Sequence, residues 1–335
     1  MKRGGRCPVR VGLVGLGQFG RLHALTLAGL AEVELVALVG RRAARLEALS
    51  AELPGVPGWL SLDAALAESG AEAWVVATST ASHVPIARAI LSAGKSVLVE
   101  KPLASSLAEA EELASLLGPQ PARLMLGHTV LFGTELRRLL HEVAVRPPLV
   151  HIACQRHRPM DTLRCYPGEN PFHLTMVHDL YVVQALVGGR EPVEFSAQVH
   201  RTPAGERDLA LAQLRWEDGL LATFAASFLT PEGMPIDGYD RMELYGAGWA
   251  ARLDPNPRPL TLWDDRARSP LTLEIWAEGD APVGMLAEEL RCFSRVVRGQ
   301  QAIPLGARFQ DGLQVLRWLE RLEQAADRRP APATG

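Results

Sequence analysis

Near the N-terminus the apolar residues come in short, nearly unbroken runs, at 9–14 (Val-Arg-Val-Gly-Leu-Val), 33–39, 73–77 and 95–99. Runs of this length that scarcely alternate predict strands buried on both faces. Between them apolar positions recur at helical spacing, first at Leu22, Leu25 and Leu30, then at Leu46 and Leu49. Short helices are expected at 62–68 and at 86–93, the latter stopped by Gly94. Strands that alternate with helices predict an α/β Rossmann domain, a doubly wound parallel sheet. An amphipathic helix at 107–117 with a Glu-rich outer face, a break at Gly118-Pro119-Gln120-Pro121 and a last strand at 124–126 complete it.

Beyond residue 127 the pattern changes. A helix at 134–143, a strand at 149–155, a loop at 158–172 and a helix-like run at 173–187 lead into segments of alternating polarity at 194–200, 209–216, 220–228, 241–245, 250–253 and 271–276. These predict an α+β domain with a large, mostly antiparallel open sheet, closed by helices at 285–298 and 309–326. The expected domains are 1–126 and 127–327, followed by a disordered tail, 328–335. Residues 230–240, rich in Pro and Gly, are expected to form a long connection, a candidate substrate lid or oligomer contact.

At 47% hydrophobic and 22% charged residues over 335, the chain reads as globular, with core enough for about two domains. A net charge of -3 and no local basic patch argue against a nucleic-acid partner. No apolar run is long enough to span a membrane, and the basic residues 1–8 run straight into a strand, with no signal-peptide core. Four scattered cysteines fit reduced thiols, so a cytoplasmic protein is expected. Cys154, His157, Cys165, His173 and His178 match no metal-binding spacing, so no metal is expected.

The first run ends in Gly15-x-Gly17-x-x-Gly20 and opens a helix. That context makes it a dinucleotide fingerprint: Gly15 for the turn, Gly17 for backbone approach to a pyrophosphate, Gly20 for helix packing, with the helix N-terminus facing the anion. Gln18 and Phe19 fall inside it as further cofactor candidates. Where an NAD site usually offers an acid to the ribose, this chain has Gly40 followed by Arg41 and Arg42, which favours NADP over NAD. Thr78, Thr80 and His83 lie in the polar turn after the strand at 73–77. The strand at 97–99 runs into Glu100-Lys101-Pro102, which holds Lys101 at a strand's carboxyl end, where open parallel sheets bind ligands.

Together, Gly15-x-Gly17-x-x-Gly20, Ala77-Thr78 with His83, Gly94 through Pro102 with Leu103-Ala104, Gly127-His128-x-x-x-Phe132, Glu288-Glu289-Leu290-x-x-Phe293 and Asp311-Gly312-Leu313 resemble the Gfo/Idh/MocA oxidoreductases. The resemblance covers nearly the whole chain. It implies an NAD(P)-dependent dehydrogenase or reductase that moves a hydride between nicotinamide and a sugar, cyclitol or sugar-derivative hydroxyl or carbonyl. It also implies a homodimer or homotetramer through the second domain's sheet, a place for Glu100 and Lys101 beside the cofactor, and a candidate cis peptide at Lys101-Pro102. His178 matches the family's histidine, whose usual partner is an Asp four residues earlier. Here that position is Leu174, a departure for which His173, Thr175 or Asp179 are candidate compensations.

The expected chemistry assigns His178 as acid/base and Lys101 as stabiliser of the developing alkoxide or proton relay. His157, Arg158, Arg164, Tyr166, Asn170, His173 and Thr175 are candidate substrate contacts. Leu174 keeps open an alternative, a catalytically silent NAD(P)-binding sensor or regulator of the same fold.

Overall fold

The computed structural model describes residues 7–118, 120–231, 238–256, 262–263, 267–268, 275–276 and 282–328. Residues 232–237 of the expected connection, 271–274 of the expected strand and 329–335 of the expected tail lie outside the described residues. The chain divides into two compact units, Met1–Gly133 with Thr272–Leu313, and Thr134–Leu271 with Gln314–Gly335.

In the first unit the order is β1 (Val9–Val14), α1 (Gln18–Gly29), β2 (Val33–Val39), α2 (Ala43–Glu52), β3 (Gly58–Trp59), α3 (Leu62–Glu68), β4 (Ala73–Val76), α4 (His83–Ser92), β5 (Ser96–Glu100), α5 (Leu107–Glu111), α6 (Ala114–Leu117) and β6 (Leu124–Gly127). The helix expected across 107–117 is two short ones. The strands form one sheet in the order β3-β2-β1-β4-β5-β6, each pair parallel. Strand order reverses between β1 and β4, which opens a crevice at the strands' carboxyl ends. Unbroken apolar runs suit this layered position: the residues of β4 and β6 are all buried, as are all but Ser96 of β5.

The second unit starts with α7 (Thr134–Val145), β7 (Leu149–Pro159) and α8 (Thr162–Cys165). A wide π turn, Phe172–Met176, then runs directly into α9 (Val177–Leu186). The strands β8 (Glu194–Arg201), β9 (Arg207–Arg215), β10 (Leu221–Thr230), β11 (Tyr239–Gly246) and β12 (Trp249–Asn256) follow. They make a sheet of order β12-β11-β7-β10-β9-β8, antiparallel at every pairing except β7 with β10. Alternation puts Ile152, Cys154, Ala210, Ala212, Phe224, Met242 and Leu244 on a buried face, while Leu211 and Tyr245 are exposed on the other.

Two helices end the described chain. The first, α10 (Met285–Val297), belongs to the first unit, and α11 (Phe309–Asp327) starts in the first and continues in the second. Ahead of α11 the chain runs along the outer edge of β6: Leu126 N–H donates to Ala307 O at 2.8 Å, and Met125 pairs with Arg308. Among the described residues no helix is long and apolar enough to cross a membrane.

Candidate active site

The turn between β1 and α1 needs two of its glycines for itself. Gly15 has φ +104°, and a Cβ there would come 2.3 Å from Ala77 O. A Cβ on Gly20 would meet Gly15 O at 1.9 Å. Gly17 differs: its Cβ would find only Arg45 Nη1, at an ordinary 3.7 Å. Nothing in the protein's own packing demands glycine at 17, so the bare backbone there is room for a ligand. The start of α1, at Gln18, carries neither a capping side chain nor an acid in its first turn, so its N–H groups and positive dipole end are open to an anion.

Around this turn lies a cleft of about 710 Å³. Gly15, Gly17, Phe19, Arg41, Arg42 and Thr78 line it; Gln18, Gly20, Thr80, His83, Glu100 and Lys101 do not. Residues without a sequence signal join the lining, notably Arg45, Leu60, Ser79 and Ile86. Arg45 was legible in principle, since it stands one helical turn beyond Arg41 and Arg42. None of the three arginines forms an ion pair among the described residues, and Leu60 is 57% exposed, an apolar surface in search of a cover. At the usual place of the ribose-binding acid, a Cβ on Gly40 would come 2.6 Å from Leu16 Cδ1. A phosphate-accepting helix start, an open backbone at Gly17 and an acid-free trio of guanidiniums fit a nicotinamide dinucleotide.

At the end of β5 the Lys101–Pro102 peptide is cis. Glu100 is buried and fixes this turn: its Oε1 accepts from His23 Nε2 at 2.8 Å, and its Oε2 faces the Lys101 N–H at 3.3 Å, a proton shared with Gly127 O at 3.2 Å. His83 is buried behind the turn, with Nδ1 2.8 Å from Pro102 O and Nε2 3.2 Å from Thr78 O. It therefore ties the β4 turn to the Lys101 turn. Burial lowers its pKa, more than the two carbonyls raise it. Glu289 of α10 is also fully buried in this unit; burial first, then the charge of Glu100, push its carboxyl well above the usual range, against the pull of the His128 N–H.

In the second unit, residues 171–187 are buried except at His173, Leu174 and His178. These three make the accessible face of an otherwise enclosed helix. Asp179, the next residue, faces inward to Arg156, which donates from Nη2 at 2.8 Å and from Nε at 3.2 Å. Arg156 Nη1 also donates to Asp240 at 2.7 Å, and Arg158 Nη1 reaches the same carboxylate at 2.5 Å. Burial raises the pKa of Asp179, although Arg156 pulls it down. Burial likewise opposes the charge of Arg156, but Asp179 and Asp240 outweigh it and raise its pKa.

The other substrate candidates are dispersed. Arg158 is committed to Asp240. His157 sits on the opposite face of β7 from Arg156, its Nδ1 2.8 Å from Ser227 Oγ and its ring stacked on Tyr239. Arg164 and Tyr166 are exposed, Arg164 beside Asp161. Thr175 is buried and turns back to donate to Pro171 O at 2.7 Å, so it does not compensate for Leu174. Asn170 Oδ1 accepts from the Phe172 N–H at 2.9 Å, and its Nδ2 reaches Glu323 at 3.2 Å. His173 Nε2 meets Glu323 as well, at 2.9 Å. Of the seven, only His173 shares the accessible face with His178. Among the described residues no group of three His, Cys, Asp or Glu side chains could hold a metal ion.

Comparison with known proteins agrees with this fold. Residues 9–128 match the oxidoreductase family with NAD-binding Rossmann fold, GFO_IDH_MocA, and residues 140–250 match the GFO/IDH/MocA C-terminal domain. An inositol 2-dehydrogenase 1 from Saccharopolyspora erythraea is 33% identical over 71% of this chain and 72% of its own length. A 4-carboxy-2-hydroxymuconate-6-semialdehyde dehydrogenase from Sphingobium is 29% identical over 73% of this chain and 80% of its own. In fold, the chain is similar to a scyllo-inositol dehydrogenase from Lactobacillus casei solved with NAD(H) and scyllo-inositol, with a TM-score of 0.80, 19% identity and coverage of 95% and 97% of the two chains.

Proposed function

We propose, for a chain that belongs to the Gfo/Idh/MocA oxidoreductase family, an NADP-preferring dehydrogenase of sugar-like or cyclitol polyols. Membership makes it an NAD(P)-dependent dehydrogenase acting on CH–OH groups. Support for NADP comes from Arg41, Arg42 and Arg45 in the cleft, without an ion-pair partner among the described residues and with no acid at position 40. Guanidiniums accept a phosphate by charge-assisted, two-pronged bonds, whereas a ribose hydroxyl calls for a carboxylate. The inositol dehydrogenase relatives support the polyol class.

When bound, the nicotinamide gives or takes the hydride. Lys101, fixed at its backbone by Glu100 and Gly127, sets an ammonium against the negative charge that grows on the substrate oxygen. His178, on the accessible face of its helix, takes the hydroxyl proton. Fluorescence titration decides the cofactor: NADPH is expected to bind more tightly than NADH, and the reverse order overturns the preference. Turnover of a polyol panel with NADP⁺ should fall about a hundredfold in Lys101→Ala and in His178→Ala. Turnover indifferent to both substitutions removes these roles, and NADPH binding without any turnover favours a silent sensor.

The open face of the second unit's sheet exposes Leu211, Leu229 and Tyr245, which supports a homodimer or homotetramer through that sheet. A monomeric mass by light scattering at micromolar concentration contradicts it.

A further inference from the structure

We infer that His173, held by Glu323, is a second substrate-facing residue, which accepts a hydrogen bond from a hydroxyl of the polyol. The inference rests on the dehydrogenase reading above and adds a residue to it.

Three observations carry it. First, the accessible face of the helix consists of His173, Leu174 and His178, and every other side chain from 171 to 187 is buried. Secondly, the helix enters this face through a π turn, in which the Val177 N–H reaches back five residues to Phe172 O. Such a turn holds one residue more than an α-helical turn, so His173, five residues ahead, stands one turn before His178. Thirdly, the imidazole of His173 is oriented. Glu323 Oε2 lies 2.9 Å from its Nε2, while Glu323 Oε1 takes Arg207 Nη1 at 2.6 Å and Asn170 Nδ2 at 3.2 Å.

The chemistry follows from that set of partners. Burial works against the charge on Glu323, but His173 and Arg207 together hold its pKa below the usual range. An ionised carboxylate only accepts hydrogen bonds, so the Nε2 facing it carries the proton. In the neutral ring, Nδ1 is then left as an acceptor, and it has no partner among the described residues. A fixed tautomer with an acceptor turned away from its carboxylate suits a hydroxyl group, and a polyol offers several. His178 remains the residue that takes the proton of the reacting hydroxyl; His173 orients a neighbouring one.

The test uses the full chain with saturating NADP⁺ and a panel of myo-inositol, scyllo-inositol and glucose. With the best of these, His173→Ala should lower kcat/KM about tenfold or more, mainly through KM, with NADPH affinity unchanged. Glu323→Gln should lower it less. Leu174→Asp in the His173→Ala background should recover part of the loss, because it returns an acceptor to the same face; a purely structural role for His173 gives no such rescue. Where His173→Ala melts early, His173→Gln, whose amide nitrogen reaches the place of Nε2 and keeps a donor for Glu323, is the variant compared. If His173→Ala or His173→Gln stays within about twofold of wild type while His178→Ala loses turnover, the inference is overturned and the dehydrogenase reading stands. If the wild type turns over none of the panel, the reading falls, and the inference with it.

Discussion

Arg156 grips Asp179 with two nitrogens, at 2.8 and 3.2 Å, and Asp179 directly follows His178 in the chain. The imidazole's helix is therefore anchored to β7 by its immediate neighbour, and Asp240 of β11 with Arg158 completes a balanced set of two cations and two carboxylates. Removing one partner leaves a buried charge without compensation. Asp179→Ala should destabilise the protein by about 3–5 kcal/mol, read as a lower midpoint in urea denaturation. A loss below about 1 kcal/mol would show that the network is not an anchor.

The arginine trio predicts a selective effect on cofactor binding. Arg41→Ala with Arg42→Ala should weaken NADPH by about tenfold or more and leave NADH within about twofold, since only the former carries the extra phosphate. Calorimetric titration of both cofactors checks it.

Glu289 predicts a dependence of stability on pH. Its native pKa is raised well above 4.5, so above that pH an unfolded chain releases a proton that the folded chain still holds. Stability from this group is therefore full at low pH and declines as pH rises toward the raised native value. Glu289→Gln removes the decline. The melting temperature of the variant relative to wild type should climb from about pH 5 to about pH 8, and a flat difference would refute the assignment.

Gly15 predicts a backbone effect. Its φ of +104° and the 2.3 Å approach of Ala77 O leave no place for a methyl group. Gly15→Ala should cost about 2 kcal/mol or more and reduce NADPH affinity, whereas Gly17→Ala, with 3.7 Å to its nearest neighbour, should keep stability and lose affinity. Thermal melts alongside fluorescence titration separate the two.

The first unit was the more legible in the sequence, because its signals are local. A glycine that must be bare, a strand that stops at Pro102 and an unbroken apolar run each state their structural reason within a few residues. Arg45 escaped because its place depends on which face α2 turns to the cleft. His157 was grouped with Arg158 because the strand was expected to stop at 155; it runs to Pro159, and alternation sends Arg156 and Arg158 one way and His157 the other. The π turn at Phe172–Met176 has no sequence signature, since it depends on how the chain enters a buried helix.

Residues 307 and 308 lie along the outer edge of β6, yet they come far later in the chain than the strand they border. While the protein is being made, the nucleotide-binding sheet carries a bare edge until that late segment has left the ribosome. A nascent chain in that state is open to mispairing with other strands, and holding the late segment back would prolong the exposure.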